Sequence, residues 1–315
     1  MSQIVDNVLP IFALIAIGYA AVASRLLRPE VGEALGDFVF KLGVPLLLFR
    51  TIVNADFHGA SPWALWISYF GGAFTAWTLG HLVATRLMGR DARIGVVAGV
   101  SSGFSNTVFI ALPLVASVLG EKGLVALTIV LSVHLPVMMI AGTVMMERAG
   151  RGEGGAAPRS LLAILGYVGR TLARNPLVIG LAFGVVFHVL GIGLGGPVKA
   201  VVDQLAGVAG PVALISMGMA LRKYGLAGNL GPAVLVAALK LAVMPAVVFL
   251  LARLVGLDPV WTAALVLTAA VPTGVNAYLI ANHFGHGHGL ASSVITLSTA
   301  VGVVTVSIWA VLIGL

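Results

Sequence analysis

The fold this chain predicts is an all-α polytopic membrane protein, with ten transmembrane helices arranged as two inverted five-helix repeats. Three observations point there. The 315 residues are 59% hydrophobic and only 9% charged, with a mean hydropathy of +1.08, whereas a soluble domain carries about 25% charged residues. Apolar stretches of about 20 residues, the length that crosses a bilayer, recur from end to end. The pattern is also written twice. Pro10, Gly18, Asp37 and Pro45 recur 166 positions later as Pro176, Gly184, Asp203 and Pro211. Pro62 and Asn106 recur 170 positions later as Pro232 and Asn276, and Gly123-Leu124 returns to the first offset at Gly289-Leu290. Small changes in loop length near 221–231 and 283–288 account for the difference. Five crossings per copy is an odd number, so the second copy runs inverted to the first.

The spans read in order as about 4–26, 31–53, 62–88, 93–119, 123–147, 172–194, 197–221, 230–256, 260–283 and 288–313. The first is expected to be a span and not a cleavable signal, because Met1–Leu26 lacks a basic leader and its apolar run is long enough to cross. It is also the repeat partner of the segment after Pro176. The two repeats divide the chain at 1–150 and 151–315, across a linker rich in Gly and Arg (Glu147–Pro158). After the linker, Leu161, Leu162, Ile164, Leu165, Val168 and Leu172 share one helical face flanked by Arg159, Arg170 and Arg174. That pattern fits an interfacial helix or a plain extension of span 6.

Charge sets the orientation. Arg25, Arg28, Arg86, Arg90, Arg93, Arg148, Arg151, Arg159, Arg170, Arg174, Arg222 and Lys223 all fall in alternate loops, on one face. Little more than Arg50, Lys122, Lys199 and Arg253 marks the other. The positive-inside rule puts the first set in the cytoplasm and both termini outside, expected here to be the periplasm of a bacterial inner membrane. This distribution, not nucleic-acid binding, explains the net charge of +7. The absence of Cys excludes disulfides and thiolate chemistry.

The segments that carry chemistry sit in spans 4 and 9. Residues 99–113 and 269–281 each place a small, polar, helix-breaking cluster near mid-bilayer, with Asn106 and Asn276 at equivalent positions. One such cluster alone could be a packing kink with Ser and Asn bonded between helices. Two at matched positions predict interrupted helices that cross at the centre, where unwound backbone is tolerated only if it is buried or lines a wet cavity. Half-helix N-termini there present N–H groups and a positive dipole end, which suit a carboxylate. Ser105, Asn106, Thr107, Pro272, Thr273, Gly274 and Asn276 are the expected substrate-binding residues.

Ser-Asn-Thr-Val-Phe-Ile-Ala-Leu-Pro (105–113) and Pro-Thr-Gly-Val-Asn-Ala-Tyr-Leu-Ile-Ala (272–281) resemble the two crossover segments of the auxin efflux carrier family, which includes bacterial malonate-type permeases and plant PIN carriers. The opening Ile-Val-Asp-Asn-Val-Leu-Pro-Ile-Phe, Gly18-Tyr19 and Leu-Gly-Val-Pro-Leu-Leu-Leu-Phe (42–49) match as well, so the resemblance covers the whole chain. It implies a sodium/proton-antiporter-like fold, also found in bile-acid transporters, with a scaffold of helices 1, 2, 6 and 7 against a transport unit of helices 3–5 and 8–10. The long hydrophilic central loop of many plant members is absent. Ser105 stands where plant members put Pro, so auxin specificity does not carry over.

Deep charges come next. Asp37 and Lys41 are spaced i, i+4 in the favourable order, and Lys41 inside hydrocarbon needs a partner, since a lone charge there costs about 2.5–3.5 kcal/mol or more. The resemblance implies a support site beside the substrate cavity, with Asp37 able to carry proton coupling; a static interfacial pair is the other reading. Lys240, central in span 8, could attract an anion, stand in for a bound sodium or fix a broken helix end. His134 is a candidate for proton handling or simply a buried, bonded side chain. His283, His286 and His288 have metal-like spacing but sit in a Gly-rich loop, so no metal and no cofactor are expected.

The predicted function is therefore a secondary carrier of small organic carboxylate anions by alternating access, linked to protons or exporting. Sodium-coupled symport of the bile-acid type is the alternative, with an intramembrane enzyme or a channel ranked behind it. No phosphate-binding Gly-rich motif for an ATP-driven pump, no activated nucleophile for an intramembrane enzyme and no pore-lining ring for a channel occurs. The expected partners are a small organic anion and the lipid bilayer, with a homodimer left open and nucleic acid excluded.

Overall fold

Proline decides where many of these helices start and where several deform. A computed structural model describes residues 2–56, 61–150, 161–226 and 230–315. The described residues are almost entirely helical: α1 (Ser2–Ala23), α2 (Pro29–Phe38), α3 (Val44–Val53), α4 (Pro62–Leu82), α5 (Ala92–Gly103), α6 (Leu112–Ala149), α7 (Leu161–Ala173), α8 (Pro176–Val189), α9 (Gly196–Tyr224), α10 (Leu230–Ala238), α11 (Met244–Leu254), α12 (Pro259–Ala270), α13 (Asn276–Phe284) and α14 (His288–Leu312). Pro29, Pro62, Pro176 and Pro259 open their helices, where the missing N–H costs nothing. Ser61, Asp91, Asn175 and Asp258 cap four N-termini through their side-chain oxygens.

Three of the four wide, π-helical turns among the described residues (Val39–Gly43, Thr107–Ala111 and Leu239–Val243, but not Val83–Leu87) end two residues before a proline: Pro45, Pro113 and Pro245. Proline cannot donate to the carbonyl four residues back, which is that of Lys41, Phe109 or Leu241. The helix absorbs the lost bond by widening. One freed carbonyl, that of Leu241, accepts from Trp309 Nε1 at 2.8 Å. These turns make α2–α3 and α10–α11 single bent rods. The rod that includes α6 turns at Gly120, whose φ of 60° favours glycine, so the predicted spans 4 and 5 meet there.

Among the described residues, five helical segments are long and apolar enough to cross a bilayer: Asp6–Ala23, Thr107–Ala149, Gly196–Tyr224, Leu230–Leu254 and His288–Leu312. Pro176–Val189 and Pro259–Ala270 are shorter apolar helices. The protein is a helical, multi-pass membrane protein. The linker expected at 147–158 falls from residue 151 onward outside the described residues, as do the side chains of Leu161, Ile164, Leu165 and Val168. The helix expected after the linker is α7, and the exposed Leu162 and Tyr167 lie on it.

The helices pack in two groups. In one, α1 and α2 lie on α9, and α3 lies on α8 and α9. The α1–α9 crossing is close enough that a Cβ on Gly18 would collide with the Ile215 carbonyl, and one on Gly218 with the Ile15 carbonyl. The α3–α8 crossing is built alike, with Gly184 against Ile52 and the Phe49 carbonyl. Ion pairs join α3 and α2 to α9, Arg50 to Asp203 at 3.2 Å and Glu33 to Lys223 at 3.0 Å, and Lys199 meets Asp203 within α9 at 2.5 Å. In the other group α4 packs on α5 and α11, α12 on α6 and α11, and α10 on α14.

Candidate functional site: a cross-bridged pair of helix breaks

Both predicted interruptions are present, and they touch. After α5 stops at Gly103, Phe104 is extended and a new helix starts at Thr107. After α12, Val271 is extended and α13 starts at Asn276. The two unwound stretches pair antiparallel at Ser105 and Thr273. Asn106 N–H donates to the Pro272 carbonyl at 2.9 Å and Gly274 N–H to the Phe104 carbonyl at 2.8 Å. Gly274 is required at this contact: a Cβ would stand 2.8 Å from the Ser105 carbonyl oxygen. Each break thus satisfies part of the other's buried backbone, which membrane interiors demand.

The polar ends are assigned unequally. The carbonyl end of α12 is closed by Lys240, fully buried, whose ammonium donates to the Ala269 carbonyl at 2.5 Å and the Val271 carbonyl at 2.7 Å. A cation at a helix C-terminus opposes the negative dipole end. The N-terminal ends stay open. Among the described residues, the N–H groups of Val108, Val275 and Asn276 make no main-chain hydrogen bond, and all three residues line one cavity.

That cavity holds about 740 Å³, and its wall includes Ser105, Asn106, Thr107, Gly274 and Asn276 from the breaks and Asp37, Phe40, Ser216, Met217 and Tyr224 from α2, the turn after it and α9. Of the residues expected to bind substrate, Pro272 and Thr273 are not on this wall. Thr273 is fully buried, donating through Oγ1 to the Ser101 carbonyl at 2.7 Å and through its N–H to Ser298 Oγ at 3.1 Å. The two asparagines differ. Asn106 is buried and occupied: Oδ1 accepts from the Phe109 N–H at 3.3 Å, and Nδ2 faces Met217 Sδ at 3.3 Å. The half-buried Asn276 side chain makes no hydrogen bond among the described residues, so its amide is free for a ligand.

Lys41 pairs with Asp37 at 2.5 Å, but both side chains are largely exposed, and only Asp37 reaches the cavity. Behind the first break, His134 is buried with Nε2 3.5 Å from Tyr69 Oη and Nδ1 3.5 Å from Thr107 Oγ1. His286 bonds to Arg93 Nη1 at 2.8 Å, and no group of three or more His, Asp or Glu able to hold a metal exists among the described residues.

Sequence reasoning passed over two features. Asp203, which entered only as the repeat copy of Asp37, is held by Lys199, four residues before it, and by Arg50. That i, i+4 spacing was readable. Met217 and Phe40 carried no signal, because apolar residues on a cavity wall read the same as core.

A family model described as "Membrane transport protein" matches residues 3–310. The chain is 26% identical over 311 residues to a Rhizobium meliloti (strain 1021) protein named "Putative malonate transporter", covering 98% of this chain and 95% of that protein. It is 25% identical over 312 residues to an "Uncharacterized transporter" of Methanothermobacter thermautotrophicus (Delta H), covering 98% of each. Helical and multi-pass, and matched by the family model over nearly its whole length, the chain belongs to the Mem_trans family of membrane transport proteins, the auxin efflux carrier family.

Proposed function

We propose that this transporter is a secondary carrier of small organic carboxylates, holding a carboxylate where the two helix breaks meet. One observation carries the reading: open N–H groups from two helix starts, with the free Asn276 amide, face a single cavity. Aligned helix N-termini favour an anion by fixed dipoles and need no counter-charge in the protein. Malonate is the natural first ligand, given the name borne by the rhizobial relative.

The mechanism we infer is alternating access between two inverted five-helix repeats. Helices α1, α2–α3, α8 and α9 act as scaffold, and the remaining spans carry the crossover past it. Two glycine crossings support the repeat: Gly18 meets Ile215 and Gly184 meets Phe49, each pair offset by the same 166 positions. Both termini lie outside a bacterial inner membrane in this reading. We assign proton coupling to Asp37, and its position on the cavity wall supports that assignment.

Thermal-shift titration of the purified chain with malonate tests the site. Asn276→Ala should lose the ligand-induced shift while the ligand-free Tm stays at the wild-type value, because Asn276 braces nothing. Asn106→Ala should lose the shift and also lower the ligand-free Tm, since a buried cap is removed, worth about 1 kcal/mol. Wild-type ligand shifts in both variants would sink the reading.

A further inference from the structure

The cavity wall carries as many acids as bases, but one of the acids is neutralised from outside the wall. Four charged residues line it: Glu33, Asp37, Arg222 and Lys223. Asp37 is already paired with Lys41, which stands off the wall, and Glu33 is paired with Lys223. Arg222 has no ion-pair partner among the described residues. The Glu33–Lys223 pair is itself weak: its side chains are 69% and 65% exposed, and ion pairs that exposed contribute little. An arriving anion therefore meets an unpaired guanidinium beside an ammonium that gives up its acid cheaply.

This doublet lies along one helix from the crossover. Met217, in contact with the Asn106 amide, precedes Arg222 by five residues, about 7.5 Å of helical rise. Two long, flexible cationic side chains at that offset can fold toward a group held at the breaks, and guanidinium suits a carboxylate's paired oxygens. We propose that Arg222 and Lys223 form a second anion subsite, so that the cavity selects dianions, short dicarboxylates, over monocarboxylates of similar size. The inference rests on the carboxylate reading of the crossover and adds the residues that set its preference. An arginine at a helix end can instead anchor to lipid phosphate, a role that sets no ligand preference.

Titrating the full chain in zwitterionic lipid nanodiscs with malonate and with propionate separates these cases. Wild type should bind malonate more tightly. Arg222→Gln should weaken malonate by about fivefold, the range of one exposed charge pair, while propionate changes by less than about twofold. Arg222→Lys should recover part of the loss, and Glu33→Gln, which frees Lys223, should tighten malonate alone. An unchanged malonate-to-propionate ratio in Arg222→Gln, or equal weakening of both ligands, overturns the subsite and leaves the crossover reading standing. A wild type that binds neither ligand overturns both.

Discussion

Replacing Lys240 by methionine asks whether the deepest charge in the protein braces the fold or serves transport. The side chain is fully buried and donates to the Ala269 and Val271 carbonyls at the end of α12. Methionine fills a similar volume without donors. Two terms then oppose each other. Two main-chain carbonyls lose their donor in a dry interior, at about 1–3 kcal/mol each, and the dipole end of α12 loses its cation, worth up to about 2 kcal/mol. Against this, a buried ammonium no longer has to be desolvated, which returns several kcal/mol. The carbonyls cannot be removed with their partner, and Val271 is extended, so no helical N–H replaces the lysine. The loss should win by about 2 kcal/mol on these magnitudes. At about 2–4 °C per kcal/mol for a large chain, Tm should fall by roughly 4–8 °C. Thermal unfolding of purified wild type and variant in one detergent measures it. A variant melting at or above wild type would refute the bracing argument and leave Lys240 as a group kept for its charge.

Two further perturbations are expected to separate packing from function. Gly218→Ala drives a methyl into the Ile15 carbonyl across the α1–α9 crossing, where both walls are main chain; it should cost about 1–3 kcal/mol and lower Tm, whereas Gly207→Ala, with open space around it, should not. Equal melting of the two variants would show that α1 and α9 separate freely. Asp37→Asn should abolish the pH dependence of labelled substrate uptake in proteoliposomes while leaving the protein folded, and a retained pH dependence would remove Asp37 from coupling.

Much of this was legible in the residues because membranes punish irregular backbone. Pro113, Gly103, Pro272 and Gly274 could be read as breaks, and both breaks lie within a few residues of Asn106 and Asn276. The bond between the breaks was not legible: main-chain pairing at Ser105 and Thr273 depends on backbone approach, which side-chain identity does not report. Lys240 was legible in kind and not in detail: a broken helix end was one of the partners its position offered, but which carbonyls form that end could not be read, because every residue has one. The wide turns before Pro45 and Pro245 were hidden for a different reason, since proline in a helix can kink, widen or end it according to what packs nearby.

The two-rung ladder joining Phe104–Asn106 to Pro272–Gly274 has a consequence for biogenesis. Its strands come from opposite halves of the polypeptide, so during synthesis the first stretch cannot make these bonds until the second has been added. The pocket is therefore completed late, and a product truncated before Gly274 lacks one of its walls.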